Sequence, residues 1–103
     1  MRSVRYSKTF NDQLVDLIAM GEERFGQRVA ESKKRLLFQT ISKFLIEYPD
    51  IKRPNPVLGL VAYPINNTPF IVVYDFDDHE LRMHFVFLAG IELSDIEPSR
   101  IEW

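Results

Sequence analysis

Two side chains in the second half of the sequence could act together on a phosphate or a hydroxyl group. Arg82 and His84 are two residues apart in a strand-like segment, which places both on one face of the strand. There a guanidinium can hold an anion while an imidazole transfers a proton. Alternation alone also puts polar residues on an exposed sheet face. Because one Arg-x-His pair has little specificity, we favour the exposed face over a catalytic pair.

A second pair of cations lies in a proline-rich segment. Lys52 and Arg53 fall between Pro49 and Pro56, where three prolines occur in eight residues. No regular element tolerates that spacing, so we predict a stiff surface loop. Such a loop could present both cations to a phosphate or a carboxylate at low entropic cost, or could leave them in solvent.

A group of acids further along could be taken for a magnesium site. Its members straddle a predicted hairpin turn: Asp75, Asp77, Asp78 and Glu80. Aspartate is favoured in turns because its side chain hydrogen-bonds to nearby backbone, and we interpret the group in this way. The sequence has no phosphate loop, dinucleotide fingerprint, nucleophile elbow or HExxH motif. We therefore expect neither a metal nor a cofactor.

Composition narrows the classes of function further. The chain has no cysteine, which excludes disulfides and thiolate chemistry and suits a reducing compartment. No apolar run is long enough for a membrane span or a secretory signal. Thirteen Lys and Arg against fifteen Asp and Glu give a net charge of −2, opposite to the field that nonspecific nucleic-acid binding uses. We expect a cytoplasmic protein without membrane or direct nucleic-acid binding.

The elements that must position these residues follow from apolar spacing. Alternation over residues 2–6 predicts a short first strand, and Ser7 or Thr9 can cap the helix that follows. That helix should end near Gly26. Its apolar face should consist of Phe10, Leu14, Leu17, Ile18 and Phe25. A second helical pattern runs from about residue 27 to residue 48 and stops at Pro49. The two helices should form a hairpin.

Three strand patterns complete the chain, over residues 60–65, 70–76 and 81–89, with turns at 66–69 and 77–80. No crossover helix separates these strands, so we expect them to pair in antiparallel fashion. The prediction is one α+β domain spanning residues 1–103. Its N-terminal helical hairpin packs on one face of an antiparallel β-sheet, in the order β-α-α-β-β-β.

Short blocks that match a known family occur in order along nearly the whole chain. They include Val4-Arg5-Tyr6-Ser7, Glu23-Arg24-Phe25-Gly26, Tyr48-Pro49, Arg53-Pro54, Tyr63-Pro64-Ile65, Thr68-Pro69-Phe70, Val73-Tyr74, Glu80-Leu81-Arg82 and Ile96-Glu97-Pro98-Ser99. In these blocks the sequence resembles the ParE branch of the RelE/ParE superfamily. These are toxins of bacterial type II toxin–antitoxin pairs, often labelled plasmid stabilisation proteins. The resemblance implies the same helical hairpin on a sheet.

The resemblance also implies a function. It indicates a toxin that inhibits a macromolecular target by binding, DNA gyrase being the usual one, and that a ParD-like antitoxin neutralises. One alternative is a ribosome-dependent mRNA endonuclease of RelE type, whose candidate catalytic residues would be Arg53, Arg82 and His84. Another is a weakly toxic member that acts only within the antitoxin complex. Many relatives have a His where this chain has Leu88, and the net acidic charge also disfavours the endonuclease, which needs converging cations.

Two sets of residues are predicted to contact partners. The apolar fraction of 46% exceeds what one sheet-on-hairpin core requires, so we expect the antitoxin to cover an apolar groove. Its predicted residues are Leu60, Tyr63, Tyr74 and Phe85, with Arg53 or Arg82 at the rim. In the tail, Leu93 and Ile96 should pack on the core and Trp103 should be at least half buried. The tail then acts either on the target or on stability alone.

Overall fold

The computed structural model describes residues 2–56, 58–89 and 101–103. Strand β1 spans Ser3–Tyr6, helix α1 Lys8–Phe25 and helix α2 Gln27–Gln39, which continues as a π-helical segment over Thr40–Leu45. Strands β2, β3 and β4 span Val61–Pro64, Phe70–Phe76 and Glu80–Leu88. The predicted α+β class and element order are confirmed. No helix in these ranges is long and apolar enough to cross a membrane.

Helix α1 begins and ends at residues whose chemistry suits those positions. The Ser7 hydroxyl accepts a hydrogen bond from the Phe10 N–H at 2.8 Å, so Ser7 rather than Thr9 is the N-cap. Gly26 ends the helix with φ +89°, a value that a residue without a Cβ adopts at little cost. Helix α2 starts at the next residue, which confirms the predicted hairpin.

The second helical segment departs from regular α geometry before it reaches Pro49. Over Thr40–Leu45 it is π-helical, and the Thr40 and Ser42 hydroxyls donate to the carbonyls of Leu36 and Phe38 at 2.8 Å. Hydroxyls that bond back to the preceding turn perturb the regular helical hydrogen bonds. The wider turn still leaves Ile41 and Leu45 fully buried. Apolar spacing alone does not reveal this change, because both geometries bury residues four apart.

The four described strands form one sheet in the order β1-β4-β3-β2. Strands β2, β3 and β4 pair in antiparallel fashion, as predicted. Strand β1 instead runs parallel to β4, with Arg5 opposite Arg82. The sheet is therefore mixed, which corrects the prediction of an all-antiparallel sheet. Parallel pairing needs a long crossover, and the helical hairpin supplies one between β1 and the later strands.

Each face of the sheet carries its own apolar cluster. The main cluster lies under the helices and joins Phe10, Leu37 and Ile41 to Tyr74 and Leu81, among others. The second cluster lies on the opposite face. It consists of Leu60, Val73, Phe85 and Phe87, with Ile101 packed against them.

A register irregularity interrupts the pairing of β3 with β4. Val73 lies opposite Phe85 and Tyr74 opposite Met83, so His84 has no direct partner across the strands. Met83 belongs to the main cluster and Phe85 to the second, while His84 bonds to Asp75 on the second face. The bulge thus lets His84 and Phe85 lie on the same side.

The buried hydroxyl of Tyr74 gives a test of this architecture. It donates to the buried Pro49 carbonyl at 2.8 Å, which ties the proline-rich loop to the centre of the sheet, and burial raises its pKa. Replacing Tyr74 with Phe removes the donor and should lower the free energy of unfolding by about 1–2 kcal/mol in chemical denaturation. Tyr48→Phe is the matched control, because Tyr48 is 52% exposed. Equal effects of the two substitutions would contradict the proposed anchor.

Candidate functional site

Side chains on the second face of β3 and β4 form a connected polar cluster, made of Asp75, Asp77, Glu80, Arg82 and His84. Asp75 Oδ1 accepts a hydrogen bond from Arg82 Nε at 2.8 Å and lies 2.9 Å from His84 Nε2. Arg82 Nη1 also donates to Asp77 Oδ2 at 2.9 Å and to Glu80 Oε1 at 3.0 Å. The structure therefore brings together the predicted pair Arg82 and His84, with an acid between them.

The charges of this cluster favour ion pairing within it over binding of an anion. The hydrogen bonds that Arg82 donates to Asp75, Asp77 and Glu80 raise the pKa of Arg82 above its already high ordinary value. Burial opposes ionisation of Asp75, but hydrogen bonds from Arg82 and His84 outweigh it and lower the pKa of Asp75. One guanidinium thus faces three carboxylates. A phosphate that approached Arg82 would meet excess negative charge.

Asp77 has the backbone role that turn chemistry predicts. Its Oδ1 accepts hydrogen bonds from the N–H groups of His79 at 2.8 Å and Glu80 at 2.9 Å. Together with the bond from Arg82, these contacts hold the pKa of Asp77 far below its usual range. Within the described ranges, no three His, Cys, Asp or Glu side chains converge on a point where a metal could bind.

His84 is enclosed by its neighbours. The Trp103 ring contacts it edge-on, with centroids 4.9 Å apart and an interplanar angle of 86°, and the Arg5 guanidinium lies 4.9 Å from the Trp103 ring centre. Because the ionised Asp75 carboxylate only accepts, His84 Nε2 is the nitrogen that donates to it. Nδ1 is buried and has no hydrogen-bond partner in the described part of the chain. A substrate therefore has no direct route to either ring nitrogen in this conformation.

The remaining catalytic candidate, Arg53, lies on a different segment from the polar cluster. Arg53 is exposed in the proline-rich loop, and no hydrogen bond or ion pair within the described residues joins it to Arg82 or His84. Its neighbour Lys52 lies over the ring of Tyr63, with Nζ 5.8 Å from the ring centre. Of the three residues of the endonuclease alternative, the hydrogen bonds of the described residues thus link only Arg82 and His84, through Asp75.

The predicted antitoxin-contact residues lie at different depths. Leu60, Tyr74 and Phe85 are 5%, 0% and 4% exposed, so they are core residues and do not line an open groove. Strand alternation could not separate them from surface positions, because apolar clusters cover both faces of this sheet. Tyr63 is partly buried, and Arg53 is exposed. Trp103 is 43% exposed, which agrees with the prediction that it is at least half buried, whereas Leu93 and Ile96 lie outside the described residues.

An apolar groove that the sequence did not reveal opens at the tip of the helical hairpin. This hairpin groove has a volume of about 410 Å³ and is lined mainly by apolar side chains, among them Leu17, Met20, Phe25, Val29, Phe70 and Leu88. Phe25 is 68% exposed, and Met20 and Val29 are exposed as well. One signal was present in the sequence. Phe25 lies in the last turn before Gly26, where the chain reverses and helix α1 has no further turn to bury it.

Cations stand at the edge of the hairpin groove. Arg24 lines the groove, and its side chain makes no hydrogen bond or ion pair with any other described residue. Lys33 also lines the groove, and its Nζ donates to the Asn67 carbonyl at 2.6 Å. Among the described residues, the groove therefore combines an apolar floor with a positive charge that has no ion-pair partner, whereas Arg82 forms ion pairs with three acids.

The lowered pKa of Asp75 predicts a specific dependence of stability on pH. A folded-state pKa below the ordinary value of 3.8 stabilises the fold above pH 4, and this contribution is lost as the pH falls through the folded pKa. Asp75→Asn should cost about 1 kcal/mol at pH 7, a modest figure because the Asp75 side chain is 34% exposed, and markedly less at pH 2.5.

Urea unfolding at the two pH values measures this difference. Asp16→Asn is the matched control, because Asp16 is exposed on α1 and makes no hydrogen bond or ion pair with the described residues. An Asp75→Asn penalty that is the same at both pH values would show that the carboxylate charge contributes nothing to the cluster.

Comparison with known proteins places the fold. No known family model matches the sequence, and no curated protein matches it. The structure is similar to a chain of the chromosomal ParDE TA system from P. aeruginosa, with a TM-score of 0.74 and 14% sequence identity. The match covers 85% of this chain and 96% of that chain. The protein thus has the fold of a chain from a ParDE toxin–antitoxin system.

Proposed function

We propose that this protein is the toxin of a type II toxin–antitoxin pair, and that a ParD-like antitoxin neutralises it by binding at the hairpin groove. The observation that carries the proposal is the groove itself, on a fold shared with a ParDE chain. Phe25, Met20 and Val29 all expose apolar surface, and the cations Arg24 and Lys33 line the same groove. An exposed apolar patch with a polar rim is typical of a protein-interaction site.

The shape and charge of the groove favour an amphipathic helical segment as its occupant. Such a segment presents apolar side chains at three- and four-residue steps, which suits a groove between a helical hairpin and a sheet edge. Acidic residues beside that apolar face would meet Arg24 and Lys33. Because Arg24 has no partner in the described part of the free chain, its pairing with an acid of the antitoxin would break no existing contact.

The polar cluster supports inhibition by binding over catalysis. Cleavage of a phosphodiester without a metal needs several cations directed at the developing charge, and a general acid and base. Here Arg82 pairs with three carboxylates, His84 Nε2 bonds to Asp75 and Nδ1 is buried, and among the described residues no hydrogen bond or ion pair joins Arg53 to either side chain. We propose DNA gyrase as the target, on the ground of the family resemblance.

The antitoxin part of the proposal is tested by affinity measurements with the product of the adjacent gene. Phe25→Asp should weaken the complex at least tenfold, because a charge replaces the most exposed apolar side chain of the groove. Val15→Asp is the matched control, since Val15 is equally exposed, at 68%, and does not line the groove. Arg24→Glu should weaken the complex in a salt-dependent way. Equal affinities of the Phe25 and Val15 variants would exclude the groove as the binding site.

The binding mechanism is tested by expressing the toxin without its partner. His84→Ala should leave growth inhibition and inhibition of gyrase supercoiling within a few-fold of the unmodified protein, provided that circular dichroism shows the variant to be folded. Loss of an essential general base would cost on the order of 10²–10⁴ in rate. Ribosome-dependent mRNA cleavage that disappears in this variant would establish the endonuclease instead. A stable antitoxin complex without any growth inhibition would indicate the weakly toxic alternative.

A further inference from the structure

The three described residues that follow the sheet, Ile101–Trp103, supply hydrogen-bond partners to the first turn of α1. The Glu102 carbonyl accepts hydrogen bonds from the backbone N–H groups of Lys8 at 2.7 Å and Thr9 at 3.2 Å. The Glu102 N–H donates in return to Thr9 Oγ1 at 2.9 Å. The first N–H groups of a helix have no partner within the helix. A segment more than ninety residues away in sequence therefore satisfies two of them.

The side chains of the same segment hold it by contacts of a different kind. Trp103 contacts two side chains. The Arg5 guanidinium carbon lies 4.9 Å from the centre of its ring, and the centre of the roughly perpendicular His84 ring is also 4.9 Å away. Ile101 packs against the second apolar cluster. Both Trp103 and Arg5 are exposed to solvent, and cation–π contacts at exposed sites are weak. Release of the segment therefore breaks no contact of the main apolar cluster, and from the second cluster it removes only the partly buried Ile101.

We propose that residues 101–103 are a releasable strap. In its closed state Trp103 covers His84, and Glu102 caps Lys8 and Thr9. In its open state the strap detaches while the sheet and both helices stay folded, which uncovers the His84 ring, the Arg5 guanidinium and two helix N–H groups. The strap thereby controls access to the His84 ring, whose Nδ1 has no hydrogen-bond partner among the described residues. This proposal is independent of the groove and of the toxin function.

Amide exchange measured by NMR on the full chain separates local release from global unfolding. We expect the Lys8 and Thr9 amides to exchange at least tenfold faster than the Val72 amide, which lies on the central strand β3 and is fully buried. The Phe10 amide is the internal control for fraying of the helix. It bonds to Ser7 Oγ and not to the strap, so it should stay protected when the strap opens.

Two substitutions then test what holds the strap. Trp103→Ala and Arg5→Ala should each raise the exchange rates of Lys8 and Thr9 about three- to tenfold, and change those of Phe10 and Val72 by less than twofold. Tyr48→Ala is the matched control, since it removes an exposed aromatic ring far from the strap in sequence. Trp103 is the only tryptophan, so acrylamide quenching of its fluorescence reports the same opening, and Arg5→Ala should increase it.

The proposal fails on any of three results. Exchange of Lys8 and Thr9 at the Val72 rate would mean that the strap opens only when the whole protein unfolds. Exchange at the rate of an unprotected peptide would mean that no closed state exists. A Trp103→Ala effect that is absent, or equally large at all four amides, would show that the indole does not hold a separate strap.

Discussion

Ser7 joins three elements of this protein through its own hydrogen bonds. Its N–H donates to the Met83 carbonyl at 3.0 Å, its hydroxyl donates to the His84 carbonyl at 2.7 Å, and the same hydroxyl caps the Phe10 N–H. Strand β1 stops at Tyr6 opposite Met83, so no described strand pairs with β4 on that side beyond this point. Ser7, and then Gln13 through its bond to the Val86 N–H at 3.0 Å, take over the β4 groups that β1 leaves unpaired.

The placement of α1 has consequences at both of its ends. At its start, the first turn comes close enough to the strap for Glu102 to cap Lys8 and Thr9. At its other end, Phe25 lines the hairpin groove with Phe70 at the start of β3 and Leu88 at the end of β4, and it remains 68% exposed. The positions of the groove and of the strap therefore both depend on where α1 packs against β4.

The charged side chains of the polar cluster and those of the hairpin groove differ in how they are paired. On the second sheet face, Arg82 forms ion pairs with three carboxylates at the turn between β3 and β4. In the hairpin groove, the Arg24 side chain lies beside apolar surface and has no ion pair with any described residue. A cation beside apolar surface, as in the hairpin groove, suits a protein that binds a partner. A nuclease would need unpaired cations in the polar cluster.

Local patterns in the sequence determined the elements of this protein. The Phe10 to Phe25 spacing and Gly26 predicted α1 and the hairpin, and β3 occupies Phe70–Phe76, as alternation and turn residues predicted. These features depend on near neighbours in the chain. Only tertiary structure decided that β1 pairs in parallel, that Tyr74 and Phe85 are buried, and that Asp75 separates Arg82 from His84. Those outcomes depend on which distant segments meet, and residue type and spacing carry no such information.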